Sequence, residues 1–415
     1  MNPFEIPEEK PVADDAPYQP VLKVVGLGGG GCNAVARMME LGLSGLQFIA
    51  ANTDHQALLS NPADIKIQLG PKTTRGLGAG SKPEIGKAAA EESWRELAAA
   101  MKGADMVFLT AGMGGGTGTG SIPIAAKIAR SLGAVTIAIV TTPFSFEMGR
   151  RQQNASQGLE RLRRETHTLI SIPNDRLLDY APRNLPMEVA FHLADDVLRQ
   201  SVEGISELIT RTGTINVDFA NVRRLIQLGG GALMAIGHGQ GENKILTAVE
   251  QALNHPLLGN VAIENAAGVL VNFTGGDDMA LGEIYEAMTY IQSQTGPQAD
   301  IVMGALNDPD MDGRVQVTLV ITGLGAPTLE EAMSSVQKAS VRPVITAEPI
   351  LPPAASQPQY EPRIFRSEPA PAESAPAPRL RSLLSSHELS PSASQNLDLP
   401  AFLRRQSRLS GNISQ

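Results

Sequence analysis

The sequence predicts an α/β protein whose centre is a parallel sheet with helices on both faces. Three observations carry this. Short apolar runs rich in Val, Ile and Ala alternate with helix-like segments from Val21 to about Gly325. The 41 glycines among 415 residues gather in loops directly after such runs, with no period of three, which excludes a fibrous chain. Aromatic residues are only 4% of a chain that is 42% hydrophobic, a poor match to an aromatic-rich β-sandwich.

Taken in order, Leu22–Val25 reads as a strand, followed by a glycine loop and a helix from about Asn33 to Glu40. Gln47–Ala51 and Ile65–Leu69 are the next strands, and Pro83–Met101, rich in Ala and Glu, a helix. Met106–Thr110 is an apolar strand, with a longer glycine loop and a helix to about Leu132 behind it. Val135–Val140 and Thr168–Ile172 are buried strands. The βαβ rhythm implies parallel pairing. A long helical pattern runs from about Met187 to Thr210, with Val189, Leu193, Val197, Ser201, Ile205 and Leu208 on its stripe. Val269–Phe273, Ile301–Leu306 and Val315–Ile321 read as strands of a second, α+β domain.

The ends differ in composition. Residues 1–20 carry five acids, one lysine and five prolines, and read as a disordered tail without the apolar stretch of a secretory signal. Eleven of the 29 prolines lie between Pro343 and Pro391, mixed with Ser, Ala and Gln, which reads as a linker. Leu397–Leu409 (LDLPAFLRRQSRL) restores apolar residues beside Arg404, Arg405 and Arg408, the pattern of a docking peptide. A net charge of -9 and a pI near 5.3 argue against a nucleic-acid binder held by bulk charge. With one cysteine, Cys32, no intrachain disulfide forms, and no apolar run of 18 residues spans a membrane, so a cytosolic location is expected.

The glycine loops carry the chemistry. Gly26 to Gly31 follows one strand, Gly112 to Gly120 (GMGGGTGTG) follows another, and Gly76-Leu77-Gly78-Ala79-Gly80-Ser81 precedes a helix. Backbone N–H groups freed of Cβ atoms, at the positive end of the following helix, favour a polyphosphate. Thr117 and Thr119 add hydroxyl donors. Three such loops at strand ends point to one crevice above the sheet. The first loop also fits GxGxxG, but the acid expected about 20 residues on is displaced to Asp54, and the second loop has no place in a dinucleotide site. Walker A is absent.

With these segments in view (VVGLGGGGCNAV, NTDHQAL, GLGAGSKPEIG, ADMVFLTAGMGGGTGTG, IPNDRLL and NVDFANV), residues 21–325 resemble the tubulin/FtsZ family. The terminal LDLPAFLRRQ resembles the tail peptide by which FtsZ-type members bind membrane-tethering division proteins. The resemblance implies a Rossmann-like GTPase domain at 21–184, a central helix at 185–212 and an α+β domain at 213–325. A linker at 326–395 and a docking segment at 396–415 follow. It implies GTP/GDP and Mg²⁺ as ligands, head-to-tail homopolymers as the working form, and a cytoplasmic ring at the division site. No contact with nucleic acid and no direct insertion into membrane are expected.

Residue by residue, the resemblance places Gly29, Gly30 and Asn33 in the first phosphate loop, with Asn33 also at the base. Asn52 matches the family's loop residue near the nucleotide and the subunit interface, and Gly78 and Ala79 belong to the Gly76–Ser81 cluster. Gly112, Gly114, Gly115, Gly116, Thr117, Gly118, Thr119 and Gly120 would hold the β- and γ-phosphates. Thr141 and Pro143 would lie by the ribose, with Glu147 as acceptor of its hydroxyls and Arg151 beside it. Asn174 and Asp195 would contact guanine, with Phe191 stacked on the ring. Phe191 and Asp195 are four apart on one helix and so share a face. A carboxylate there accepts from guanine N1–H and the 2-amino group, which adenine cannot match. On pattern alone a core phenylalanine and a solvated aspartate fit as well. Cys32 reads as a tolerated small residue, because no histidine lies near it in sequence.

In this family the hydrolytic residues come from the next subunit, on the loop after the long helix. Here that segment is Asn216 to Val222. The family usually has aspartate at both key positions, whereas this chain has Asp218 and Asn221. A carboxylate takes a proton from attacking water; an amide only orients it. Slower hydrolysis led by Asp218 is therefore expected, with a slow-hydrolysing, co-polymerising scaffold as the alternative.

Overall fold

Apolar β-branched runs buried on both faces build the first half of the sheet. The computed structural model describes residues 19–147, 149–177, 186–258 and 263–324. The tail up to residue 18, the linker and the docking segment Leu397–Leu409 lie outside the described residues. The first half runs β1 (Leu22–Leu27), α1 (Gly28–Glu40), β2 (Gln47–Asn52), α2 (His55–Leu59), β3 (Ile65–Gln68), α3 (Pro71–Thr74), α4 (Pro83–Glu92) and α5 (Trp94–Met101). It continues with β4 (Met106–Gly112), α6 (Thr117–Ser131), β5 (Val135–Thr142), α7 (Arg150–Glu165), β6 (Thr168–Pro173) and α8 (Asn174–Leu177). After α9 (Met187–Thr210) come α10 (Phe219–Gln227), β7 (Gly231–Gln240), α11 (Lys244–Leu253), β8 (Gly268–Gly275), α12 (Leu281–Thr295), β9 (Asp300–Asn307) and β10 (Arg314–Leu324).

The strands form one ten-stranded sheet in the order β3-β2-β1-β4-β5-β6-β7-β10-β8-β9. Strands β1 to β6 are parallel throughout, as their continuous apolar runs require. Strand β10 is antiparallel to β7 and β8, and β8 is parallel to β9. Within the sheet, β6 and β7 are registered through two residue pairs, Leu169 with Gly231 and Ile170 with Ala232.

Period-two alternation divides the core. Val24, Phe108 and Ile137 face α1, α9 and α10, while their neighbours Val25, Val107 and Ala138 belong to the core beneath α4, α5, α6 and α7. Leu198, Val202 and Ile205 of α9 pack with Ile172 of the first half and with Met234, Leu270 and Val320 of the second, so the long helix is wedged into a core shared by both. A separate cluster lies beneath α11 and α12.

Three local outcomes differ from the sequence expectation. Helix α1 starts at Gly28, five residues early, because the glycine run is itself the first helical turn. The helix expected over Pro83–Met101 breaks at Ser93. The Ser93 hydroxyl accepts from the Gly70 N–H at 3.0 Å and donates to the Gln68 carbonyl at 3.2 Å, which diverts it from helix continuation. Strand β7 was hidden by three glycines that usually weaken strands. Here Gly237 and Gly239 let the α11 backbone lie directly on the strand. A Cβ at Gly239 would overlap the Lys244 carbonyl oxygen and stand 2.7 Å from its carbon. Gly239→Ala should therefore cost about 1–3 kcal/mol, read as a lower urea midpoint; an unchanged midpoint would show that helix and strand are not in contact.

Candidate functional site

The carboxyl ends of β1, β4 and β5 open on a cleft of about 520 Å³. At β1, Gly28 takes a positive φ of 70°, which turns the strand straight into α1. Helix α1 has neither a side-chain cap nor an acid in its first turn, and the same holds for α6. Their leading N–H groups lack side-chain partners, and both positive dipole ends face the cleft. The two ends nearly touch: a Cβ at Gly28 would come within 2.6 Å of the Gly118 nitrogen. Gly29, Gly30 and Asn33 from α1 line one wall, and Gly112, Gly115, Gly116, Thr117 and Gly118 the other. Nothing stands within 4 Å of a Cβ built on Gly29 or Gly115, so backbone is open to a ligand there. This arrangement suits an anion.

The remaining loop residues shape the wall from behind. The Thr119 hydroxyl accepts from the Gly114 N–H at 2.8 Å, and Thr119 is buried rather than in the lining. Gly114, at φ 97°, lies against the Arg151 carbonyl. A Cβ on Gly120 would overlap the Pro83 carbonyl, so this glycine lets α4 approach α6. Asn52 is buried, and its Oδ1 accepts from the Asp54 N–H at 3.3 Å. Its neighbour Thr53 shares a 2.5 Å hydrogen bond between hydroxyls with Thr117. The Gly78 N–H donates to the Thr53 carbonyl at 3.3 Å, and Ala79 packs under Gly116. None of Asn52, Gly78 and Ala79 lines the cleft.

At the other end, Thr141 and Pro143 leave β5, and Glu147 pairs with Arg151 across the first turn of α7. Glu147 also accepts from the Phe144 N–H at 3.0 Å, while Arg151 is half exposed. Asn174 is 5% exposed and its Oδ1 has no hydrogen-bond partner, an acceptor left open in the lining. Phe191 is 40% exposed and meets Phe144 edge-on at 5.6 Å, so it is a wall of the cleft and not core. One turn on, Asp195 has its carboxyl pushed up to about 6 by burial, against the opposing pull of His192 and Arg37. An aromatic face, a buried carboxyl and an unpaired amide suit a flat heterocycle with N–H donors.

Sequence reasoning missed Thr142 and Ala194 in the lining, and it placed Ser81 and Met113 in the glycine segments without singling them out. Ser81, at φ 58°, closes the third glycine cluster, the signal that pointed there. Asp218 and Asn221 are not in the lining. Both are exposed at the start of α10, where Asp218 Oδ1 accepts from the Ala220 N–H at 3.0 Å.

The GTPase domain of the tubulin/FtsZ family matches residues 21–182, and the C-terminal domain of the FtsZ family matches residues 230–325. An FtsZ dimer from M. jannaschii, described as empty, is similar at 46% identity and a TM-score of 0.71, covering 74% of this chain and 90% of that one. A substituted FtsZ from the same organism gives 46% and 0.70, covering 74% and 92%. CetZ2 from Haloferax volcanii, described as a GTPγS-bound protofilament, is 20% identical with a TM-score of 0.64, covering 77% and 100%; it shows likeness of fold alone.

Proposed function

The chain belongs to the tubulin/FtsZ family of GTPases, and from that premise we propose that it binds GTP in this cleft and hydrolyses it between stacked copies of itself. The observation that carries the reading is the meeting of two uncapped helix ends at one mouth, with Phe191, Asn174 and Asp195 at the opposite end. The phosphates go to the N–H groups of α1 and α6 and the Thr117 hydroxyl. The guanine goes between Phe191 and the acceptors Asp195 and Asn174. Glu147 and Arg151 flank the sugar. Residues 21–184 and 213–325 serve as nucleotide-binding and activating domains.

The same lining argues for a second copy. Among the described residues that line the cleft, the only carboxylates are Glu147 and Asp195, and neither belongs to the glycine walls. Glu147 is held by Arg151 and the Phe144 N–H. A base for the attacking water must therefore come from outside, and the exposed Asp218, which follows the end of α9 remote from Phe191 and Asp195, is suited to supply it. Contacts of this head-to-tail kind do not close and generate filaments. Loss of the γ-phosphate would weaken such a contact. A division-ring role and tethering through Leu397–Leu409 follow from the same reading. A slow-hydrolysing scaffold is the second reading, favoured by the amide at Asn221.

Magnesium fits without a protein cage. Among the described residues no cluster of three or more metal-binding side chains occurs, and the oxygens on the phosphate side are hydroxyl and carbonyl groups. Such a site leaves Mg²⁺ to the nucleotide's own phosphate oxygens and water, with the Thr117 hydroxyl as an adjacent hard donor. When bound, the ion would neutralise phosphate charge.

The deciding measurement is phosphate release against protein concentration. Release should rise steeply above a threshold that coincides with sedimenting polymer. Release proportional to protein, without polymer, would falsify the shared site. A pH prediction follows from Asp195. Guanine binding needs the ionised carboxylate, whereas the free chain holds the proton below about pH 6. GTP affinity should therefore fall about tenfold from pH 7 to pH 5, with a proton released on binding at pH 5. The nucleotide-free chain shows the opposite sign from this group, because protonation below about pH 6 relieves the burial of charge and stabilises it.

A further inference from the structure

Away from the cleft, at the opposite edge of the parallel sheet, a set of arginines stands on a chain that is acidic overall. Arg130 ends α6, Arg163 and Arg164 end α7, and Arg223 projects from α10. All four are exposed. Their elements are tied together there. Arg130 Nη1 donates to the Arg164 carbonyl at 3.1 Å, the His167 N–H donates to the Thr136 carbonyl at 3.1 Å, and Thr168 Oγ1 donates to the Ile226 carbonyl at 2.7 Å. Arg163 reaches the start of β7, its guanidinium 3.1 Å from where a Cβ on Gly231 would stand. His167, in their midst, has its pKa lowered by burial and then by Arg130 and Arg223, an independent sign of one positive field. The acids on this stretch are Glu160, paired with Arg164, and Glu165. Among the described residues no ion pair holds Arg130, Arg163 or Arg223.

The chain enters the sheet at the same edge. The Val21 N–H donates to Asp105 Oδ2 at 2.7 Å, and the Val21 carbonyl accepts from the Asp105 N–H at 2.9 Å, which fixes the entry beside the start of β4. Strands β1, β4 and β5 begin level, Leu22 opposite Met106 and Met106 opposite Val135, with β6 next. Three strand spacings separate the entry from His167, roughly 14–15 Å. Residues 1–18, outside the described residues, carry Glu5, Glu8, Glu9, Asp14 and Asp15 against Lys10 alone. Gln19 and Pro20 are themselves placed, beside Gly45 to Gln47 and Asp64, so the reach counts from Gln19: Glu9, ten residues before it, reaches roughly 33 Å when extended, which spans that gap.

We propose that the acidic segment 1–18 docks on this arginine surface of its own chain, its carboxylates paired with Arg130, Arg163, Arg164 and Arg223. Charge complementarity, entry point and chain length select this occupant. The contact is independent of the nucleotide reading, because no residue in it lines the cleft. Helix dipoles alone would account for Arg130, Arg163 and Arg164 at helix C-termini, but not for Arg223, which sits in the middle of α10.

The test is a photo-crosslinking amino acid at position 12 of the full chain, with cross-linked peptides mapped by mass spectrometry. Cross-links should fall on residues 160–167 and 220–224 of the same chain. Their yield should drop at least about tenfold in ~1 M salt, where charges are screened beyond roughly 3 Å. It should drop equally with Arg163→Glu plus Arg223→Glu, and return when Glu8, Glu9, Asp14 and Asp15 are made lysine in that variant. The restored pairing excludes misfolding as the cause of the loss. Cross-links that ignore salt, map elsewhere or join two isotopically distinct chains overturn the proposal. So does capture of the arginine surface by anionic vesicles or duplex DNA with the tail cross-links unaffected.

Discussion

An Asp218→Asn chain should bind GTP as tightly as the parent, assemble, and release phosphate at least about a hundredfold more slowly. Asparagine is the informative replacement. The Asp218 side chain caps α10 through the Ala220 N–H, and an amide oxygen can keep that bond, whereas alanine would add a capping loss of about 1 kcal/mol. What asparagine cannot do is take a proton from water. The defect should therefore be in turnover per polymer mass, measured by phosphate release beside sedimentation. Turnover within twofold of the parent would remove Asp218 from the chemistry. The reverse change one turn along, Asn221→Asp, should quicken release at equal polymer mass. If it does not, the amide at 221 is not what limits the rate.

An Asp195→Asn chain should lose GTP binding by about one to three orders of magnitude, as expected for two charge-assisted hydrogen bonds. It should gain affinity for XTP. Xanthine offers an oxygen at C2 where guanine has an amino group, so an amide can donate to it while its carbonyl accepts from N1–H. The pH dependence of binding should vanish in this variant, because the group that titrates near 6 is gone. Retained GTP affinity would mean that the carboxyl faces something other than the base. The two variants also test each other. Asp218→Asn binds GTP but lacks a base, and Asp195→Asn keeps Asp218 but stays largely empty at GTP concentrations that just fill the parent site. Mixed filaments should recover release that neither chain shows alone. No recovery, with both chains present in the polymer, would place the base and its nucleotide on the same chain.

Much was legible in the sequence because it depends on local chemistry. Runs such as Met106–Thr110 and Val135–Val140 can be stable only where both faces are covered, which dictates a parallel sheet. Glycines directly after such strands and at the start of a helix favour an anion-binding turn. Most residues assigned to the nucleotide by resemblance do line one cleft, including Phe191 and Asp195, whose pattern alone fitted a core residue and a solvated one.

Tertiary packing decided the rest. Whether a glycine faces a ligand or admits a neighbouring backbone is invisible in GMGGGTGTG, yet Gly115 is open whereas Gly120 is pressed against Pro83. Strand β7 exists because α11 lies close enough on Gly237 and Gly239 to bury it, a contact between segments that no periodicity encodes. The raised carboxyl of Asp195 needs tertiary burial, and the field at His167 needs α6 and α10 to bring Arg130 and Arg223 near it. Sequence thus determined what each segment can do. The fold determined which segments meet, because burial and electrostatics depend on distance in space rather than along the chain.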